Sequence, residues 1–178
     1  MKVLIISTSL HPHSRSRLLA TRILSYFPEK VANVSFLDLA EYSLPLCDAT
    51  TCVQNPQVQE IIKKVSQADA LIFAVPIYNY NISSTAKNFI ELVGDALQEK
   101  VVGFICASGT SKAYMSILSM MNSLLLDFRT LIVPHFVFAD LDDLPENETK
   151  ISDELEARLQ KLGSMTLALA KTWRHLQN

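Results

Sequence analysis

Short apolar runs alternate with amphipathic segments along the chain. Five runs have the length of a β-strand: residues 2–7, 34–38, 69–75, 101–107 and 131–138. Five other segments carry apolar residues at helical spacing: the one that begins near Ser14, then 55–66, 83–97, 111–128 and the one from Ser152 to Leu176. The pattern predicts five strands and five helices in strict alternation.

Strict alternation of strands and helices is typical of a parallel sheet with helices on both faces. For five strands the common order is the flavodoxin-like 2-1-3-4-5, so we expect an α/β three-layer sandwich around a five-stranded parallel sheet. Ligands of such sheets bind beyond the carboxyl ends of the strands, at the switch point between strands one and three. The sequence therefore predicts a site built by the loops at 7–14, 76–83 and 108–112.

Composition narrows the classes of function. The 178 residues are 49% hydrophobic and carry a formal net charge of −2. We expect one domain that spans residues 1–178, and the charge does not favour binding to nucleic acid or to an anionic membrane. The longest apolar runs have only strand length, which is too short for a membrane span or a secretory signal, so we expect a cytoplasmic protein.

The three cysteines, Cys47, Cys52 and Cys106, are an odd number without a CxxC pair. This pattern supports neither a disulfide framework nor a zinc site. Cys47 and Cys52 flank a predicted loop, where ordinary reduced thiols are the favoured interpretation and a redox-active pair is the alternative.

The first site loop combines hydroxyl groups with cations and contains no glycine. Within ten positions it holds Ser7, Thr8, Ser9, His11, His13, Ser14, Arg15 and Ser16. The loop leads into a helix whose free N–H groups and positive dipole end favour an anion, and the lack of glycine suits a terminal phosphate better than a bridging pyrophosphate. The alternative is a polar loop that only caps the helix through Ser14 or Ser16.

The second site loop, VPIYNYNISS, follows the third predicted strand. Pro76 is expected to end the strand ladder, and Asn79 and Asn81 tolerate unusual backbone angles. Tyr78 and Tyr80 offer planar faces on which an aromatic ring with several heteroatoms can lie. The alternative is that the tyrosines pack against a neighbouring helix or a second subunit.

The third site loop, ASGTS at 107–111, places small and hydroxyl residues at a strand end. Gly109 allows the backbone to approach the edge of a ring, and Ser108 or Thr110 can donate a hydrogen bond to it.

Together the three loops resemble the NADPH-dependent FMN reductase-like flavoproteins, relatives of flavodoxin that include flavin, quinone, azo and chromate reductases. The resemblance rests on Ser9 with the triplet at 14–16, the Pro-Ile-Tyr-Asn motif at 76–79 followed by residues 87–91, and the Ala-Ser-Gly-Thr motif at 107–110. It implies that the FMN phosphate is held by Ser9, Ser14, Arg15 and Ser16, with His11 in place of a permanent cation that many relatives have. It also implies that the isoalloxazine ring is lined by Pro76, Ile77, Tyr78 and Asn79, and that its other edge meets Ser108, Gly109 and Thr110.

The activity that this resemblance implies is hydride transfer from NADPH or NADH to FMN, and from there to free flavin, a quinone or a similar small acceptor. No residue is nominated as a catalytic acid or base, because the cofactor carries the chemistry. The spacing of the motifs along the chain is most similar to that of flavin reductases that serve a monooxygenase partner. The third loop lacks the paired glycines of many relatives, so two alternatives stay open: an FMN electron carrier without nicotinamide turnover, and a flavin-free scaffold.

The resemblance also implies a homodimer or homotetramer. We expect the subunit contact at residues 44–46, on the helix from 83 and in the Met120–Met121 region.

Overall fold

The computed structural model describes residues 1–27, 32–145 and 149–177. Its strands are β1 (Lys2–Ser7), β2 (Asn33–Asp38), β3 (Ala70–Tyr78), β4 (Asn81–Ile82), β5 (Val101–Ala107), β6 (Leu131–Ile132) and β7 (Val137–Ala139). Its α-helices are α1 (Arg15–Leu24), α2 (Pro56–Ser66), α3 (Ser84–Val93), α4 (Leu118–Phe128) and α5 (Asp153–Gln177).

The strands form a mixed sheet whose parallel core has the order β2-β1-β3-β5, with β6 and β7 both paired to β5. Ile5 of β1 pairs with Phe36 on one side and with Ile72 on the other. The predicted flavodoxin-like order is therefore confirmed, with the fifth position filled by two short segments. In addition, β4 folds back antiparallel on the end of β3.

The prediction of one continuous strand over 131–138 is wrong. The Val133 N–H still donates to the Val102 carbonyl at 2.9 Å, and the next residue is Pro134, which has no N–H to donate. The chain leaves the ladder at this point and rejoins β5 at Val137, opposite Ile105.

The core consists of two apolar layers, one on each face of the sheet. Helices α1 and α5 cover one face and α2, α3 and α4 cover the other. In the second layer the Phe73 ring lies 5.8 Å from that of Phe89 and 6.3 Å from that of Phe104, measured between centroids. These layers fix the strand ends that carry the site loops.

Two predicted helices are shorter than their patterns suggested. The helix predicted over 83–97 ends at Gly94, whose φ of 48° stops α3, and a 3₁₀ turn continues to Leu97. The helix predicted over 111–128 begins as a 3₁₀ turn over Ser111–Ile117. Met120 of α4 is fully buried, whereas Met121 is only partly buried, so in the Met120–Met121 region it is Met121 that has side-chain surface for the predicted subunit contact. No helix within the described ranges is long and apolar enough to cross a membrane.

Candidate functional site

A cleft of about 430 Å³ opens at the carboxyl ends of β1, β3 and β5, and we call it the strand-end cleft. It is lined by Ser9, His11, His13, Ser14, Arg15, Ser16, Pro76, Ile77, Tyr78, Ala107, Ser108 and Gly109. The lining includes every site residue predicted from the sequence except Asn79, Tyr80 and Thr110, and it adds His13 and Ala107. Residues separated by about a hundred positions thus meet where parallel sheets bind ligands.

Helix α1 presents its N-terminus to the cleft. The Ser14 side chain caps the helix by accepting the Arg17 N–H at 3.2 Å, and its hydroxyl lies 3.0 Å from that of Ser16. The capping role considered for Ser14 is therefore real. This cap leaves other backbone donors at the start of α1 available, because the N–H groups of Arg15 and Ser16 have no acceptor inside the helix. Two hydroxyls and two free N–H groups together make a suitable cradle for an anion.

Arg17 holds the first loop in shape, a role that the sequence analysis missed. Its guanidinium donates to the backbone oxygens of Ser9 at 2.7 Å and of His11 at 2.8 Å. Its Nε lies 2.6 Å from Oδ2 of Asp38 at the end of β2. The only signal in the sequence was a carboxylate at the end of a strand that the parallel order places beside β1.

Arg15 joins the first loop to two others. It donates to the Ser108 carbonyl at 2.7 Å and to the Leu144 carbonyl at 3.2 Å. Among the described residues no carboxylate lies within ion-pair distance of Arg15. Unlike the charge of Arg17, the charge of Arg15 is therefore not neutralised by any carboxylate of residues 1–27, 32–145 and 149–177.

His11 lies at the mouth of the first loop. Its backbone N–H donates to the Ser9 hydroxyl at 3.3 Å, and its ring Nδ1 accepts the backbone N–H of His13 at 3.1 Å. Because Nδ1 acts as an acceptor, the neutral ring carries its hydrogen on Nε2. His11 can thus donate a hydrogen bond to an anion without being charged.

The second loop is a tight hairpin that carries Tyr78. The prediction that Pro76 ends the ladder is wrong: Pro76 stands opposite Ala107, and β3 continues to Tyr78. Asn79 and Tyr80 have φ values of 50° and 59°, and two consecutive positive φ angles are what a two-residue type I′ turn requires.

Asn79 therefore adopts the backbone conformation that was expected of it. Asn81, which was expected to do the same, is instead a residue of β4 paired with Tyr78. The turn lifts Asn79 and Tyr80 away from the lining of the cleft, and Tyr78 stays half-exposed at its edge.

The third loop contributes Ser108 and Gly109. The Ser108 N–H donates to the Ala139 carbonyl at 2.9 Å, which anchors the loop to β7. A Cβ built on Gly109 would meet no protein atom within 4 Å, so this position borders open space. Thr110 does not line the cleft; its hydroxyl accepts the Lys112 N–H and caps the following 3₁₀ turn.

A larger cavity of about 650 Å³ lies along the outer side of α1, where Leu18, Thr21 and Arg22 form part of its wall. It shares His13, Ser14 and Arg15 with the strand-end cleft but contains no residue from the strand ends or from the second and third loops. The convergence of three loops on the smaller cleft makes that cleft the candidate site.

Comparisons with known proteins identify related sequences and a related structure. The sequence model of a family described as NADPH-dependent FMN reductase matches residues 1–142, which include all three site loops. An NAD(P)H-dependent FAD/FMN reductase of Geobacillus thermodenitrificans is 30% identical over 132 residues, which cover 73% of this chain and 71% of that protein. An FMN-dependent NADH:quinone oxidoreductase of Shewanella frigidimarina is 29% identical over 110 residues, which cover 53% of this chain and 56% of that protein.

Among solved structures, an oxidoreductase from Corynebacterium diphtheriae superposes with a TM-score of 0.79 at 22% identity, over 96% of this chain and 97% of that one. At this identity the likeness shows a shared fold.

Proposed function

The chain belongs to the NADPH-dependent FMN reductase family, and we propose that it binds FMN in the strand-end cleft and reduces it with NADPH or NADH. The proposed final acceptor is free flavin, a quinone or a similar small oxidant. The observation that carries the proposal is the composition of the cleft: an anion cradle at the start of α1 lies in the same space as an aromatic hairpin and an open glycine. These are the parts that a phosphorylated, planar ligand needs.

The phosphate end of FMN fits the first loop. One of the Ser14 and Ser16 hydroxyls donates to the other, which leaves one hydroxyl hydrogen of the pair for a ligand. This hydroxyl and the free N–H groups of the first turn of α1 are hydrogen-bond donors that suit a phosphate. Arg15 adds a positive charge that pairs with no carboxylate in the described part of the chain, and the described lining residues include no carboxylate that would repel a dianion. Ser9 is already engaged by the His11 N–H, and its oxygen accepts that bond, so its own hydroxyl hydrogen is left for a ligand.

The ring end fits the other two loops. Pro76 and Ile77 present an apolar wall, and Tyr78 stands at its edge. On the opposite side Gly109 leaves room for a ring edge, since no protein atom occupies the place of a side chain there. We propose that Asn79, Tyr80 and Thr110, which do not line the cleft, act at its rim, where a second ligand would enter.

When bound, FMN supplies a ring that accepts hydride from a reduced nicotinamide and passes electrons to the acceptor. The residues of the chain orient the ligand and set its access to water. The type I′ turn fixes Tyr78 on a strand end, and Arg15 fixes the third loop against the first. No side chain of the lining is assigned a proton-transfer role.

The direct test is the visible absorption spectrum of the purified protein after incubation with FMN and desalting, followed by anaerobic NADPH and then NADH. We expect a retained flavin spectrum that bleaches with at least one donor. Retention without bleaching by either donor would favour an electron carrier. If no flavin is retained, steady-state turnover with FMN as a diffusible substrate is measured next, and a lack of turnover would leave the scaffold alternative.

We further propose that the chain forms a homodimer or homotetramer. Apolar side chains lie exposed on the hairpin, on the 3₁₀ turn Ser111–Ile117 and on α4: Tyr80, Tyr114, Met115, Leu118, Leu125 and Leu126. The hydroxyl of Ser119 on α4 donates to Asn81 at 2.7 Å, so this face of α4 is continuous with the hairpin that carries Tyr78. Light scattering at micromolar concentration tests this, and a monomer would contradict it. A monooxygenase partner stays a prediction.

A further inference from the structure

Two cysteines that are five positions apart meet in the structure. The sulfur atoms of Cys47 and Cys52 lie 3.8 Å apart, and both cysteines are free thiols. They lie in the connection between β2 and α2, outside the lining of the strand-end cleft. The third cysteine, Cys106, is fully buried in β5.

Hydrogen bonds on both sides hold the pair together. The Asp48 carboxylate accepts the N–H groups of Thr50 and Cys52, both at 2.9 Å, and the hydroxyl of Thr51 at 2.7 Å. These bonds fold residues 48–52 into a compact turn that returns Cys52 to Cys47. On the other side, Asn88 of α3 accepts the N–H of Cys47 at 2.8 Å. The contact between the sulfurs is thus fixed by the local fold.

The two thiols differ in their access to solvent. Cys52 is only 5% exposed, whereas Cys47 is partly open to solvent. The Asp48 carboxylate, hydrogen bonded to the Cys52 thiol, raises the pKa of Cys52, so this thiol keeps its proton. Cys47 is therefore the accessible nucleophile and Cys52 the nearby second thiol.

We propose that Cys47 and Cys52 are a redox modification site that hydrogen peroxide converts to a disulfide. The Cys47 thiolate attacks one peroxide oxygen, the O–O bond breaks, and the departing hydroxide takes up a proton and leaves as water, so Cys47 becomes a sulfenic acid. The Cys52 sulfur then attacks the Cys47 sulfur, the S–O bond breaks, the Cys52 proton goes to the leaving oxygen, and a second water departs. In sum, two thiols are oxidised and one peroxide is reduced to two waters.

Closure requires only a local movement. The sulfurs must approach from 3.8 Å to about 2.05 Å, and the intervening residues Asp48–Thr51 are exposed to solvent. A shift of this turn leaves the sheet and its two apolar layers in place. The reaction uses no flavin and no nicotinamide, so it goes beyond the proposed reductase function.

The test uses the full chain, reduced and freed of reductant, without FMN. After one equivalent of hydrogen peroxide the remaining thiols are alkylated, and the protein is analysed by intact mass spectrometry and by digestion. We expect a loss of about 2 Da before alkylation, with one thiol left to label after denaturation. The digest is expected to contain a peptide pair linked through Cys47 and Cys52.

Variants identify the role of each sulfur. In Cys52→Ser we expect no disulfide and a sulfenic acid at Cys47 that dimedone traps. In Cys47→Ser we expect thiol oxidation to slow at least about ten-fold, because the accessible thiolate is gone. The matched control, Cys106→Ala, is expected to form the disulfide as the wild type does; if that variant fails to fold, peptide mapping of the wild type locates the oxidised sulfurs instead.

Three results would overturn the proposal: three unreacted thiols in the wild type, oxygen addition without the loss of about 2 Da, or a disulfide that involves Cys106. None of these results depends on flavin binding. Failure of the reductase test therefore leaves this proposal standing, and the reverse also holds.

Discussion

Replacing Ser14 by Ala separates the two roles that the structure gives to this side chain. Its hydroxyl caps α1 by accepting the Arg17 N–H at 3.2 Å, and it also lines the strand-end cleft beside Ser16. The substitution removes the cap and one hydrogen-bond donor to the phosphate that we propose to bind there. Stability and FMN affinity should therefore both fall, each by its own amount.

The loss of the cap is expected to lower the free energy of unfolding by about 1 kcal/mol. For a domain of this size that corresponds to a drop in Tm of roughly 2–4 °C. A hydrogen bond to a charged group contributes about 1.5–3 kcal/mol, so the Kd for FMN should rise about 10- to 150-fold.

Ser83 provides a matched control. It is a buried serine that caps α3 by accepting the Ala86 N–H, also at 3.2 Å, and it does not line the strand-end cleft. In Ser83→Ala we expect a similar fall in Tm with the FMN affinity unchanged. Thermal unfolding of each apo-protein gives Tm, and titration of FMN followed by its fluorescence gives Kd.

The assignment of Ser14 to the phosphate would be refuted if both variants bound FMN within about two-fold of the wild type while showing the expected loss of Tm. It would fail equally if Ser83→Ala weakened FMN binding as much as Ser14→Ala, since the effect would then come from helix stability.

Three further outcomes follow from other positions. Gly103→Ala in β5 should lower the free energy of unfolding by about 1–3 kcal/mol in a thermal or urea denaturation experiment, because the new Cβ would lie 2.9 Å from Leu162 Cδ1 and 3.3 Å from Thr166 Oγ1. An unchanged Tm would contradict this packing of α5 on the sheet. Gly109→Ala should leave Tm unchanged, since no protein atom lies within 4 Å of the new Cβ, yet it should weaken FMN binding about 5- to 150-fold if the ring edge lies there. The Asp48 carboxylate accepts backbone N–H groups that hold its pKa well below its usual range, so the stability that it gives the folded protein is complete above about pH 4 and declines as the pH falls further. The Tm advantage of the wild type over Asp48→Asn should therefore shrink on acidification. An advantage that grew would contradict this pH dependence.

Local patterns in the sequence carried much of the architecture. The apolar runs placed β1, β2, β3 and β5 to within a few residues. Strands β1, β3 and β5 are almost fully buried, and a strand buried on both faces must be apolar throughout. The strand β3 ran past its predicted end, since Pro76 is accommodated in the ladder opposite Ala107. In the edge strand after α4, Pro134 broke a run that hydrophobicity alone predicted to be continuous.

Most residues of the candidate site could be predicted from the sequence, but the hydrogen bonds and ion pairs between them could not. Ser14 at a helix start and Asn79 in a turn have local signatures, since capping and positive φ depend on the residue and its immediate neighbours.

By itself, the sequence determined the alternation of strands and helices, the parallel order that follows from it, and the three loops that meet at one edge of the sheet. Only the tertiary structure decided that Arg15 joins Ser108, 93 positions away, and that Arg17 is neutralised by Asp38. The physical reason is the range of the forces: periodic burial and capping act within a few residues of the chain. The partners of a guanidinium, by contrast, come within about 3 Å of it only when the sheet has packed, and the spacing of residues along the sequence does not encode that distance.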